Sequence, residues 1–199
     1  MASVPIAAGV DENVARLLAP VGEGAYAPYA GIGSRKTPAD LCDVLVRIGS
    51  ALALRGFTLR SGGAPGADDA FEAGAFAAGG LTEIYLPRTG YRGSTSTLHP
   101  QALGEAVWQQ AKLIAERFHG DWGRVRSEHA QALLTRDSFQ VLGRDLGSPA
   151  RFVVAWTEDG LASGGTGQAI RIAEAHLVPV LNLRDRSVLL DVLAALDLG

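Results

Sequence analysis

Five short runs of strand-forming residues alternate with stretches whose apolar positions recur every three or four residues. The runs are Tyr29–Ile32, Phe57–Arg60, Glu83–Leu86, Arg151–Trp156 and Val178–Leu183. Between the first two, Ala39–Arg55 places Leu41, Val44, Leu45, Ile48 and Leu52 on one face of a helix. The same spacing predicts helices over Asp68–Ala78, Gln101–Phe118, Glu128–Leu146, Gly167–Ala175 and Ser187–Leu196, with a short one near Asp11–Ala19. Thr37-Pro38 is read as the N-cap and first-turn proline of the first long helix. Phe152-Val153-Val154-Ala155-Trp156 is apolar without alternation, as a strand covered on both faces should be. Strands that alternate with helices form crossover units, and crossovers make a parallel sheet with helices on both sides.

The expected fold is therefore α/β, a Rossmann-like three-layer sandwich with a mainly parallel sheet of five or more strands. About 60 residues separate the third and fourth runs, far more than one crossover needs. This helical insertion, residues 88–150, starts in the polar stretch Tyr91-Arg92-Gly93-Ser94-Thr95-Ser96-Thr97 and reads as a lid or specificity element. Residues 1–28 form an N-terminal extension, and all 199 residues are read as a single domain.

Composition narrows the picture. Hydrophobic residues are 47% and charged residues 20% of the chain, which suits a sizeable core. One cysteine, Cys42, excludes a disulfide framework and a cysteine zinc site, and it reads as a small core residue. No basic residue precedes Arg16 and no apolar run approaches the ~20 residues of a membrane span, so the expected compartment is the cytoplasm. The net charge of −3 argues against a general polyanion binder. Charge is uneven, however: from Arg88 to Arg151 nine basic residues stand against six acidic ones.

Three glycine-rich loops follow strands and open helices, where unpaired N–H groups and the helix dipole favour anions. The first is Gly31-Ile32-Gly33-Ser34-Arg35-Lys36; it lacks the third glycine and the downstream acid of a dinucleotide fingerprint, which disfavours a NAD dehydrogenase. The second, Ser61-Gly62-Gly63-Ala64-Pro65-Gly66-Ala67-Asp68, lacks the Gly-Lys-Ser/Thr ending of a nucleotide triphosphatase loop. Asp68, with Glu72 one turn on, reads either as a receiver of ribose hydroxyls or a metal-bound water, or as an N-cap of its own helix. The third, Ser163-Gly164-Gly165-Thr166-Gly167-Gln168, combines three glycines and two hydroxyls at a helix start.

In order and spacing, the segments Tyr29–Arg35, Leu59–Asp68 and Ser163–Gly167 resemble the Rossmann domain of the DNA-processing protein A (DprA/Smf) family and the wider SLOG superfamily, which includes the Lonely-guy phosphoribohydrolases. The chain is most similar to short DprA-like proteins of phages and prophages, over most of Tyr29 to Leu183. The resemblance implies a nucleotide or single-stranded DNA ligand. It assigns a first anion contact to Gly33, Ser34 and Arg35, a second to Ser61, Gly62, Gly63, Gly66 and Asp68, and a third to Gly164–Gly167. DprA proteins usually carry extra domains and depend on a basic surface, additions that these residues do not show, and the net charge here is acidic. The chain departs from the phosphoribohydrolases in placing Arg171 where their loop carries a catalytic glutamate; Asp68, Glu72 or Glu158 would have to substitute.

The ligand-binding set read from the sequence is Gly31, Gly33, Ser34, Arg35, Arg60, Ser61, Gly62, Gly63, Gly66, Asp68, Arg88, Trp156, Gly164, Gly165, Thr166, Gly167 and Gln168. Arg60 and Arg88 follow or end strands at the binding edge. Trp156 either stacks on a base or closes the core. Arg136 and Arg144, placed on one helix, either reach phosphates or make surface ion pairs. Trp108 and Trp122 read as packing. His99, His119 and His129 have no ligand-like spacing, so no metal is expected, and no cofactor is predicted. The expected partner is a nucleotide or another phosphate-bearing small molecule, with single-stranded DNA binding and nucleoside-monophosphate hydrolysis as alternatives, no membrane, and a homodimer as the expected assembly.

Overall fold

A computed structural model describes residues 10–160 and 164–199. Strands β1 (Pro28–Gly33), β2 (Thr58–Ser61), β3 (Thr82–Ile84), β4 (Val153–Trp156) and β5 (Val180–Asn182) form one sheet in the order β3-β2-β1-β4-β5. Every neighbouring pair is parallel. The helices described are α1 (Glu12–Leu17), α2 (Ala39–Leu54), α3 (Ala67–Ala77), α4 (Pro100–Leu103), α5 (Glu105–His119), α6 (Glu128–Leu142), α7 (Gly164–Ala175) and α8 (Arg186–Ala195). This is the expected Rossmann-like α/β sandwich.

Residues of each central strand alternate between two cores, as the two-residue repeat of a strand requires. Tyr29 of β1 and Val154 and Trp156 of β4 face the core built with α1, α2, α3 and α8. Ala30 and Ile32 of β1 and Val153 and Ala155 of β4 face the core built with α6 and α7. Because both sides are buried, the strand sequences carry no polar alternation. The insertion has its own small core, in which the rings of Tyr85 and Trp108 stack on Phe139. Among the described residues no helix is long and apolar enough to cross a membrane.

Several element limits differ from the sequence expectation. The helix read over Gln101–Phe118 is broken at Gly104, whose φ of 93° lies outside the helical range, giving α4 and α5. The helix read to Leu146 ends at Leu142 because Gly143, at φ 82°, turns the chain; Arg144 is therefore beyond α6, not on it. Thr37 does not cap α2: Pro38 holds the cap position, and the Thr37 hydroxyl donates to the Ser34 carbonyl at 2.7 Å. The third strand stops at Ile84, and the following Tyr85 makes a single parallel bridge to Leu98. α7 starts three residues before the expected Gly167, so the third loop is the helix's own first turn. Ser163 lies outside the described residues.

The chain runs outward from β1 through β2 to β3, then crosses back past β1 to β4 and β5. Connections after β1 and β4 thus leave the sheet in opposite directions and open a crevice at the carboxyl ends of the strands. On the opposite side, α2 and α3 pack very closely. A Cβ on Gly74 would run into the Val46 carbonyl of α2, and one on Gly49 would stand 2.7 Å from the Phe71 carbonyl of α3. Gly74→Ala is expected to destabilise the protein by about 2–3 kcal/mol through forced backbone movement. Gly123→Ala, in open space, should stay within about 0.5 kcal/mol. Denaturant unfolding of both variants checks this; equal stabilities would contradict the packing account.

Candidate functional site

The crevice between the ends of β1 and β4 is a cavity of about 750 Å³, within the range of roughly 300–1,000 Å³ usual for small-molecule sites. Its sheet side is made by Ile32 and Gly33 at the end of β1, Ser34 to Lys36 after it, Ala64 and Asp68 after β2, Thr157 and Glu158 after β4, and Gly164, Gly165 and Thr166 in the first turn of α7. The insertion closes it with Tyr91, His119, Arg124 to Ser127, and the α6 residues Ala130, Leu133, Leu134, Arg136, Asp137 and Gln140. One wall is thus apolar, and the floor and rim are polar.

The turn after β1 is fixed from within. Ser34 N–H donates to the Trp156 carbonyl at 3.1 Å, and the Ser34 carbonyl accepts from Thr37 N–H at 3.2 Å. Its hydroxyl oxygen accepts from Lys36 N–H at 3.0 Å, which leaves the hydroxyl proton to donate elsewhere. Arg35 and Lys36 are exposed at the rim, where Lys36 lies 3.9 Å from Glu158. The first turn of α7 has N–H groups with no partner inside the helix, as every helix start does, and the positive end of its dipole.

The second loop behaves differently. Gly63 N–H donates to Glu72 Oε1 at 2.9 Å and Ala64 N–H to Asp68 Oδ2 at 3.3 Å. Gly62 N–H donates to Gln140 at 2.9 Å when the Gln140 amide is oriented so that its nitrogen donates to Asp137 Oδ1, also at 2.9 Å. The amides of this glycine run are therefore engaged by side chains of the protein. Asp68 sits inside the second position of α3, whose cap is Gly66, and its carboxylate ties down the loop.

Helix α6 supplies the floor. Over Thr135–Leu142 every residue is buried, charged ones included. Arg136 lies where a side chain on Gly62 would otherwise stand. Its Nη2 is 3.8 Å from Asp68 Oδ2, its Nε 3.6 Å from Asp137 Oδ1, and Nε donates to the Leu133 carbonyl at 3.2 Å. Nη1 is buried with no partner among the described residues. Burial pushes the Asp137 carboxyl up to about 7 and that of Asp68 up to about 6, with Arg136 pulling both the other way. Glu72, behind the second loop, is likewise pushed up to about 7 by burial.

Of the residues singled out from the sequence, Gly33, Ser34, Arg35, Asp68, Glu158, Gly164, Gly165 and Thr166 meet at this cavity. Others lie elsewhere. Gly31 is covered by Leu59 and Phe71, and Gly66 packs on the Ser34–Arg35 backbone. Ser61 and Gly167 are buried. Trp156 is buried in the core on the α2–α3 side. The buried Gln168 amide donates to the Leu134 carbonyl at 2.7 Å. Arg60 does not reach the cavity: its guanidinium donates to Glu83, the Ser148 carbonyl and the Tyr26 hydroxyl, each at 2.7 Å. Arg88 lies over the Tyr91 ring, 5.9 Å from its centre. Arg171 Nε donates to the Phe118 carbonyl at 2.6 Å, tying α7 to α5.

The sequence pattern does not single out Asp137 or Gln140, and it leaves Arg136 as either a phosphate contact or a surface ion pair. The available signal was a run of polar residues, Thr135 to Ser138, between Leu133-Leu134 and Phe139 in a helix leading into a buried strand. Among the described residues no cluster of three or more histidine, cysteine or acidic side chains could hold a metal ion.

Comparison with protein-family models, with curated proteins and with solved structures returned no match.

The raised carboxyls set a pH dependence of stability. Asp137 binds its proton more tightly folded (about 7) than its ordinary value of 3.8, so the native state holds more protons between those values. Stability must fall as pH rises through that window. Asp137→Asn removes this penalty and should stabilise the protein by about 1–3 kcal/mol at pH 8, with no such gain at pH 4. Thermal unfolding across pH checks it; parallel curves for the two proteins would contradict it.

Proposed function

We propose that the protein binds a phosphorylated nucleotide or nucleotide-derived ligand in the cavity between β1 and β4. The observation that carries this reading is Arg136, a buried cation that lines the cavity together with the first turn of α7 and whose Nη1 has no acceptor among the described residues. A buried unmet donor costs about 1–3 kcal/mol, more when charged, and a ligand oxygen would recover it. Anionic ligands suit a helix start, and Ser34 and Arg35 extend the same donor set across the β1 turn. The ligand's phosphate lies at this polar end, with its planar base against Val125, Ala130, Leu133 and Leu134.

The resemblance to the SLOG superfamily supports the reading in part, since the first and third loops border the cavity along their length while the second reaches it only through Ala64 and Asp68. The second loop serves instead as a support whose amides hold Glu72, Asp68 and Gln140. Single-stranded DNA is the less favoured ligand, because the cavity is a bounded crevice and the rim cations Lys36 and Arg124 are paired with Glu158 and Asp121.

Calorimetry with a panel of nucleoside monophosphates is expected to show saturable binding. Gly165→Val, which places a branched side chain beside Leu134 and Asp137, should weaken it at least about tenfold. Its melting temperature should stay within about 3 °C of the parent. Unchanged affinity in the variant would overturn the assignment of the α7 turn. Binding of oligonucleotides alone, with a steep salt dependence, would replace the small ligand by single-stranded DNA.

A further inference from the structure

We propose that Asp137 is a proton-carrying specificity residue: it donates a hydrogen bond from Oδ2 to the ligand's anionic group, so that anion binding takes up a proton. This rests on the anion-binding reading above and adds to it the group that selects the protonation state of the filled site.

Hydrogen-bond direction fixes which oxygen carries the proton. Gly62 N–H can only donate, so the facing atom of Gln140 is its oxygen, and the Gln140 nitrogen donates to Asp137 Oδ1. Oδ1 is therefore an acceptor, and an acid proton belongs on Oδ2. That oxygen stands 3.5 Å from where a Cβ on Gly165 would lie, in front of the first turn of α7. As an ionised carboxylate it would repel an anion there. As a neutral acid it adds one donor to those of α7 and Arg136.

The charges around it favour the neutral form. One guanidinium, Arg136, lies between two carboxyl groups, Asp68 at 3.8 Å and Asp137 at 3.6 Å. A single cation balances a single carboxylate, and both acids are nearly shut off from water, with side-chain exposures of 5% and 11%. Facing the same space are Arg35 and Lys36 from the β1 turn, Glu158 after β4, and Arg124 and Arg126 of the insertion, all exposed to screening solvent. His119, at the end of α5, is half-buried, and Glu72 lies behind the second loop on Gly63 N–H. Burial brings Asp137 to about 7. A bound anion strengthens its hold on the proton further.

The test uses the intact protein and two probes, inorganic sulfate and adenosine 5′-monophosphate. Sulfate does not titrate near neutrality, so any proton taken up with it lands on the protein. Calorimetry at pH 8 in buffers of different ionisation enthalpy is expected to show uptake of roughly half to one proton per sulfate bound, with affinity falling by up to about tenfold per pH unit above neutrality. In Asp137→Asn, uptake should drop to near zero and the pH dependence should flatten. Wild-type binding without proton uptake would overturn the proposal, as would uptake that persists in Asp137→Asn. If neither probe binds the wild-type protein, the anion-binding reading itself fails and takes this inference with it.

Discussion

A guanidinium buried against a glycine is the constraint from which the rest of the site follows. Arg136 enters the space that a side chain at Gly62 would fill, and removing such a charge from water costs several kcal/mol unless it is paired and hydrogen-bonded. Asp68 and Asp137 are its neighbouring carboxyl groups but stand beyond hydrogen-bond distance, and among the described residues the Leu133 carbonyl accepts from Nε. The pairing is incomplete. Arg136 itself lines a crevice placed by the strand order, where under the proposed reading a ligand oxygen would complete its pairing.

This arrangement divides the work among the three glycine turns. The turns at β1 and α7 border the cavity with Ser34, Arg35, Gly165 and Thr166. The turn after β2 reaches the cavity through Ala64 and Asp68 but acts as a bracket: Gln140, Glu72 and Asp68 take its three successive amides. The insertion is thereby held to the sheet and is more than a cover. Its α6 carries the floor of the site, and its apolar residues form one wall. The modest net charge of −3 is compatible with an anion site because the relevant charges are local and partly buried, where solvent screens them least.

The architecture was legible from the chain because it depends on periodicity. Unbroken apolar runs such as Phe152–Trp156 have few alternatives to a strand covered on both sides, and Leu45, Ile48 and Leu52 define one helix face. Element ends were less legible, since Gly104 and Gly143 break helices through positive φ values that the apolar pattern does not encode. Within the site, glycine and hydroxyl residues at strand ends marked the edge of the sheet at which the cavity lies. They could not show that Arg60 is consumed by Glu83, Tyr26 and Ser148, or that Trp156 points into the opposite core. The α6 cluster was the least legible part. The chain leaves Arg136 as either a phosphate contact or a surface ion pair and does not mark Asp137 and Gln140, because the insertion folds back over Gly62, a contact across more than 70 residues of chain that no local pattern announces.

The most direct test is nuclear magnetic resonance of the ¹⁵N-labelled protein during titration with adenosine 5′-monophosphate, following the Arg136 guanidinium and the amides of Arg35 and Gly165. Saturable shifts that share one dissociation constant at all three are predicted. Shifts confined to other parts of the chain, or an Arg136 side chain indifferent to the nucleotide, would contradict the account.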